Sequence, residues 1–98
     1  MSLAYVLTPD AQDDIKAGYD WYELQQAGRG DEFLTELQTR LGEITQTPAL
    51  FGLVSRKVRA APLPHSRYIV YYRIETNQIV VTAVLHARAN PRTWQRRK

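Results

Sequence analysis

The sequence predicts an α+β fold of order β-α-α-β-β-β, in which an N-terminal strand and a helical hairpin pack on one face of a small antiparallel sheet and a basic tail follows. Three observations predict it. Apolar residues recur at helical spacing through the first half, the period falls to two after Gly52, and the charge changes sign at the same place. The chain has 98 residues, with 13 Lys plus Arg against 10 Asp plus Glu and a net charge of +3. Residues 1–52 hold three basic groups against nine acids, a balance of −6, while residues 53–98 hold ten basic groups against Glu75 alone, a balance of +9. A chain of this length buries somewhat over about 60% of its unfolded surface, enough for one core, so residues 1–98 are expected to form one domain.

Leu3 to Leu7 are an apolar run of strand length that ends at Thr8-Pro9-Asp10. Thr8 suits an N-cap, Pro9 suits the first helical position because it has no amide to leave unsatisfied, and Asp10, Asp13 and Asp14 meet the positive end of the helix dipole. Ala11, Ile15, Gly18, Tyr19 and Tyr22 then form one apolar stripe, which predicts a helix to about Gln26. Ala27 to Gly30 is a break too short for a domain linker. Phe33, Leu34, Leu37, Leu41 and Ile44 make a second stripe that Pro48 ends, and two helices joined so closely form an antiparallel hairpin. The carboxylates between the stripes, Asp13 and Asp14 among them, read as solvated helix faces.

From Leu53, apolar Val54, Val58 and Ala60 alternate with Ser55, Lys57 and Arg59, as in a half-exposed strand closed by Pro62 and Pro64. Residues 67–74 and 79–86 are β-branched and aromatic, and Glu75 to Gln78 joins them at hairpin length. Strict alternation sets Ile79, Val81, Ala83 and Leu85 on one face and Val80, Thr82 and Val84 on the other. The hairpin can cover only one apolar face, which makes the other a candidate partner surface. Tyr68 and Tyr72 share a face with Val70 and Ile74, which favours core over base stacking. After His86 the periodicity lapses into a basic tail, where Trp94 either anchors the segment or holds a partner. Because this tail follows the last core strand, truncation after Pro91 is expected to spare the fold.

Several chemistries are excluded or disfavoured. Without cysteine there is no disulfide, thiolate metal site or cysteine nucleophile, which suits a reducing cytoplasm. His65 and His86 lack ligand spacing, so neither metal nor cofactor is expected. Gly28-Arg29-Gly30 follows a helix and lacks the Lys-Ser/Thr of a phosphate loop, and Ser2, Ser55 and Ser66 have no nucleophile-elbow setting. No basic leader precedes an apolar core and no apolar run approaches about 18 residues, so neither a signal peptide nor a membrane span is expected. The basic half is more informative. Arg56, Lys57, Arg59, Arg67, Arg73 and Arg88 on one sheet are dense enough to bind phosphates, and with His86 and the tyrosines they include residue types that can supply the base, cations and acid of RNA cleavage without metal. The alternative is that these arginines are ordinary exposed strand residues or contact an acidic partner segment.

An ordered set of residues resembles the RelE/ParE superfamily of type II toxin–antitoxin toxins, in its ParE-like plasmid-stabilisation branch. The set comprises Tyr5 to Ile15, the aromatic helix end Tyr19-Asp20-Trp21-Tyr22, Phe33 and Leu37, Pro48, Val58-Arg59, Tyr68-Ile69-Val70-Tyr71-Tyr72, and Val84 to Pro91 with Trp94 and Arg97. Ala89 departs from the arginine that this branch commonly repeats after Arg88. The resemblance implies a cytoplasmic toxin neutralised by a cognate antitoxin that wraps around it, with a heterotetramer among the assemblies it allows. ParE-like members act on DNA gyrase and are not enzymes, whereas RelE-like members are metal-independent, ribosome-dependent mRNA endonucleases. Helices of about 16 residues and a tail with Trp94 but no tyrosine favour gyrase, and an inactive binding module is a third reading. On the gyrase reading Arg88, Arg92, Trp94, Arg96 and Arg97 are the expected target contacts, with Arg59, Arg73, Val80 and Val84 facing the antitoxin. On the RelE-like reading Arg56, Arg59, Arg67, Arg73, His86 and Arg88 would be catalytic.

Overall fold

The N-terminus of the first helix forms as its residues dictate, with Thr8 Oγ1 accepting from the Ala11 amide at 3.1 Å and Pro9 in the first turn. The structure is a computed structural model that describes residues 3–98, so Ser2 lies outside it. Its elements are β1 (Ala4–Leu7), α1 (Pro9–Gln25), α2 (Arg29–Gln46), β2 (Val58–Pro62), β3 (Tyr68–Ile74), β4 (Gln78–His86) and a short α3 (Pro91–Gln95). The turn between α1 and α2 depends on Gly28, whose φ of 93° lies in the left-handed region that side chains disfavour. Gly28 has no side chain to cap α2, and Glu23 of α1 does so instead. Its Oε1 accepts from the Gly28 amide at 3.0 Å and the Gly30 amide at 2.8 Å.

The sheet order is β1-β4-β3-β2. The β2–β3 and β3–β4 pairs are antiparallel, but β1 runs parallel to β4, so the sheet is mixed rather than wholly antiparallel. A parallel partner needs a long crossover, and the helical hairpin supplies one. Phe33, Leu37, Leu41 and Ile44 of α2 and Ala11 of α1 pack against Val70, Tyr72, Ile79 and Val81 to form the main core.

A β-bulge changes which residues point inward. Tyr72 opposes Val81 while Tyr71 opposes Ala83, so Thr82 is an extra residue and the alternation of β4 reverses across it. Ile79 and Val81 face the hairpin before the bulge, and Val84 does so after it. This corrects the strict alternation: Val84 belongs to the covered face, and Ala83 with Leu85 to the other.

That other face is not bare. Asn90 Oδ1 caps α3 by accepting from the Arg92 amide at 2.9 Å, and α3 folds back so that Trp94 stacks on Tyr71 with ring centroids 5.1 Å apart. Tyr71, Ala83 and Trp94 form a second, smaller core, flanked by Val58, Ala60, Ile69 and Leu85. The tail is therefore a structural element. Truncation after Pro91 would uncover this cluster and remove the Arg97–Asp14 pair, which corrects the expectation that the tail lies outside the packed structure, although the main core holds no residue beyond Val84.

The strand expected from Leu53 begins only at Val58. The amides of Val54 and Ser55 both approach the Val58 carbonyl, at 2.8 and 3.4 Å, and Ser55 Oγ accepts from the Val58 amide at 3.3 Å. This local serine bond folds residues 54–58 into a turn in place of a longer ladder.

Candidate functional site

The bulge and the end of β1 together leave polar backbone at the edge of β4. Thr8 at the end of β1 donates its amide to the Val81 carbonyl, after which the chain turns into α1. Beyond that point the Thr82 carbonyl accepts from Arg97 Nη1 at 3.0 Å, and the Val84 amide donates to Asp14 Oδ2 at 2.9 Å. Arg97 and Asp14 close the arrangement with a forked pair, Nη1 to Oδ2 at 2.6 Å and Nη2 to Oδ1 at 3.2 Å. Their side chains are 16% and 11% exposed, and a second carboxylate, Asp10, lies 3.7 Å from Arg97 Nε. The Asp14 bond and charge hold the guanidinium even more firmly protonated than usual, although burial works against it. One ion pair thus joins the C-terminal segment to α1 and satisfies the open edge of β4.

Arg97, expected to touch a target, is consumed by this clamp, and Trp94 is buried against Tyr71. Arg88, Arg92 and Arg96 are exposed, as is Lys98. None of these four takes part in an ion pair among the described residues.

The six residues expected to act together in RNA cleavage are dispersed. Arg59 pairs in register with Tyr72 on the hairpin side, and its Nη1 donates to the Phe51 carbonyl at 2.7 Å, bracing the 47–52 loop. His86 lies opposite Tyr68 on that side, its Nδ1 accepting from the Arg88 amide at 3.0 Å. The two positions are four residues apart along β3, about 13 Å. Arg73 opposes Val58 and Val80 and is held by Glu75 at 3.2 Å, on the face that α3 partly covers. Arg67 is exposed just before β3, and Arg56 sits with Lys57 in the turn that precedes β2. Burial pushes the phenols of Tyr68, Tyr71 and Tyr72 above the ordinary value, away from service as bases.

Of the expected antitoxin contacts, Val84 is sealed beneath the hairpin and Val80 is buried, with Val6 beside it in register on β1. Val6 is exposed, so the apolar surface open to a partner on this side lies at the β1 edge. The hairpin side instead offers an open groove of about 820 Å³ between α2 and the β2–β3 loop, with Phe33 and Tyr22 among its lining residues and four acids, Asp31, Glu32, Glu36 and Glu43, against the cations Arg29 and Arg40, the latter paired with Glu43. Glu36 fixes that loop. Burial opposes its charge, but hydrogen bonds from Ser66 Oγ, the Ser66 amide and the His65 amide prevail and hold its carboxyl below the usual range.

Asp14, which reads from the sequence as a solvated carboxylate, is instead part of this clamp. A signal was available: Asp14 lies three residues after buried Ala11 and four before buried Gly18, on the inward stripe. Among the described residues no group of three His, Cys, Asp or Glu could hold a metal, and no helix is long and apolar enough to cross a membrane.

The family model described as the ParE toxin of the type II toxin–antitoxin system parDE matches residues 5–91. No curated protein matches the chain. Among solved structures, the chromosomal ParDE toxin–antitoxin system from P. aeruginosa is similar, with a TM-score of 0.77 over 87% of this chain and 96% of that chain. At 15% identity that likeness shows the fold.

Proposed function

The chain belongs to the ParE toxin family of type II toxin–antitoxin systems, and from that premise we propose that it arrests growth by acting on DNA gyrase in the cytoplasm until a cognate antitoxin neutralises it. The observation that carries this reading is the family match, which spans residues 5–91 and so takes in everything from β1 to the start of α3. The dispersal of the cationic candidates supports gyrase over mRNA cleavage. A general base and acid must flank one reacting phosphate, whereas Arg59 and His86 stand far apart on one face and Arg73 is on the other.

Residues 1–98 act in this reading as one toxin domain. The target contacts are Arg88, Arg92 and Arg96, presented by a segment that Trp94 and Arg97 pin in place. The antitoxin covers the apolar β1 edge at Val6 and, across Val80 on the same face, Arg73, and its charge is expected to be mixed, because it must meet both a groove richer in acids and a basic sheet. Purified chain should inhibit gyrase supercoiling and spare mRNA on translating ribosomes, with co-expressed antitoxin restoring supercoiling. Cleavage of ribosome-bound mRNA with gyrase untouched would establish the RelE-like activity instead.

A further inference from the structure

Residue 91 ends the matched span, and the segment beyond it carries Arg92, Arg96, Arg97 and Lys98. The geometry gives these cations two jobs. Arg97 turns inward to Asp14, while Arg92 and Arg96 are exposed one helical turn apart, the Arg96 amide donating to the Arg92 carbonyl at 3.1 Å. Trp94, midway between them, points the opposite way onto Tyr71. Asp10 and Asp14, the acids that reach this segment, are both engaged with Arg97. Four exposed cations, Arg88, Arg92, Arg96 and Lys98, are thus left without an ion-pair partner among the described residues.

We propose that Arg92 and Arg96, flanked by Arg88 and Lys98, form a surface that binds the phosphodiester backbone of duplex DNA. Arginine is suited to this because its planar fork can donate two parallel bonds to one phosphate. Four helical residues rise about 6 Å, which separates the two guanidinium groups enough for each to take its own phosphate on a backbone. Single-stranded nucleic acid is the poorer fit. Its binders stack bases on open aromatic rings, and the aromatic ring of this segment is buried against Tyr71. The surface is also held ready: the Trp94 stack and the Arg97–Asp14 clamp fix α3 at two points, which lowers the ordering cost of binding. The choice of DNA over duplex RNA rests on the gyrase reading.

The test is fluorescence anisotropy of the full chain with a short labelled DNA duplex across a salt series. Arg92→Glu with Arg96→Glu should weaken binding at least about tenfold and reduce the slope of log affinity against log salt by about two, near one per lost phosphate contact. Lys16→Glu with Arg29→Glu changes net charge equally on the hairpin and should keep the slope. Should the glutamate pair fail to match the parent melting temperature, Arg92→Gln with Arg96→Gln must show the same loss of slope. An equal loss in the hairpin double variant would overturn the proposal, as would tighter binding to single-stranded RNA or to an acidic peptide. The two readings separate cleanly. Gyrase inhibition by a chain that does not bind duplex DNA overturns the surface and leaves the gyrase reading standing, while salt-dependent duplex binding with gyrase untouched does the reverse.

Discussion

The two faces of the sheet are covered by unlike means. On one, the helices of 17 and 18 residues bury a broad apolar core. On the other, a helix of five residues is held by one tryptophan, its stack on Tyr71 and one ion pair. A five-residue helix has almost no stability of its own, so its order is borrowed from the sheet beneath it. The exposed cations of the C-terminal segment are thus presented by an element fixed at two points, while the acidic hairpin is fixed through a broad core.

The largest effect should come from the firm face. Phe33→Ala removes a ring that packs against Tyr22 and Tyr68 and should cost about 3–5 kcal/mol in denaturant unfolding, the range for a large core truncation. Trp94→Ala should cost less, about 3 kcal/mol, because the ring is covered chiefly from the sheet side. Its mark should be local: amide exchange at residues 90–98 accelerates while α2 stays protected. Equal acceleration in both places would mean that the two faces unfold as one unit, and the contrast would fail.

Asp14→Asn acts at the junction of the two faces, since it leaves the largely buried Arg97 charge with a weaker acceptor. A loss of about 2 kcal/mol is expected, together with faster exchange at the C-terminal segment. The smallest effect is at Glu36, whose folded-state pKa is depressed. Its contribution to stability is therefore present above the ordinary value of 4.5 and is lost as pH falls through the folded value. Glu36→Gln should cost about 1 kcal/mol at neutral pH and flatten the acid side of the stability profile; an unchanged profile would show that the carboxylate does not hold the β2–β3 loop.

What was legible in the sequence follows the same division. The helical hairpin was readable because its signals are local: Thr8 and Pro9 mark the start of α1, and the stripe from Phe33 to Ile44 marks the buried side of α2. The outer face was not, because its determinants are non-local. Nothing near Thr82 in the sequence announces a bulge, yet that one extra residue moves Val84 under the hairpin and Ala83 toward Trp94. The parallel pairing of β1 with β4 and the meeting of Asp14 with Arg97 join opposite ends of the chain, where no periodicity reaches. Arg56 and Lys57 read as strand residues because alternation cannot see the Ser55 turn that removes them from the ladder. The candidate catalytic set dispersed for a related reason: six cations in one half of a sequence need not share one face of a sheet.

Gyrase supercoiling, titrated with the parent chain and with Trp94→Ala at a temperature where both retain the hairpin core, joins this contrast to function. Inhibition by the parent chain is expected, with a marked loss of potency when the tryptophan no longer pins α3. Supercoiling unaffected by the parent chain, or inhibited as strongly by Trp94→Ala, would contradict it.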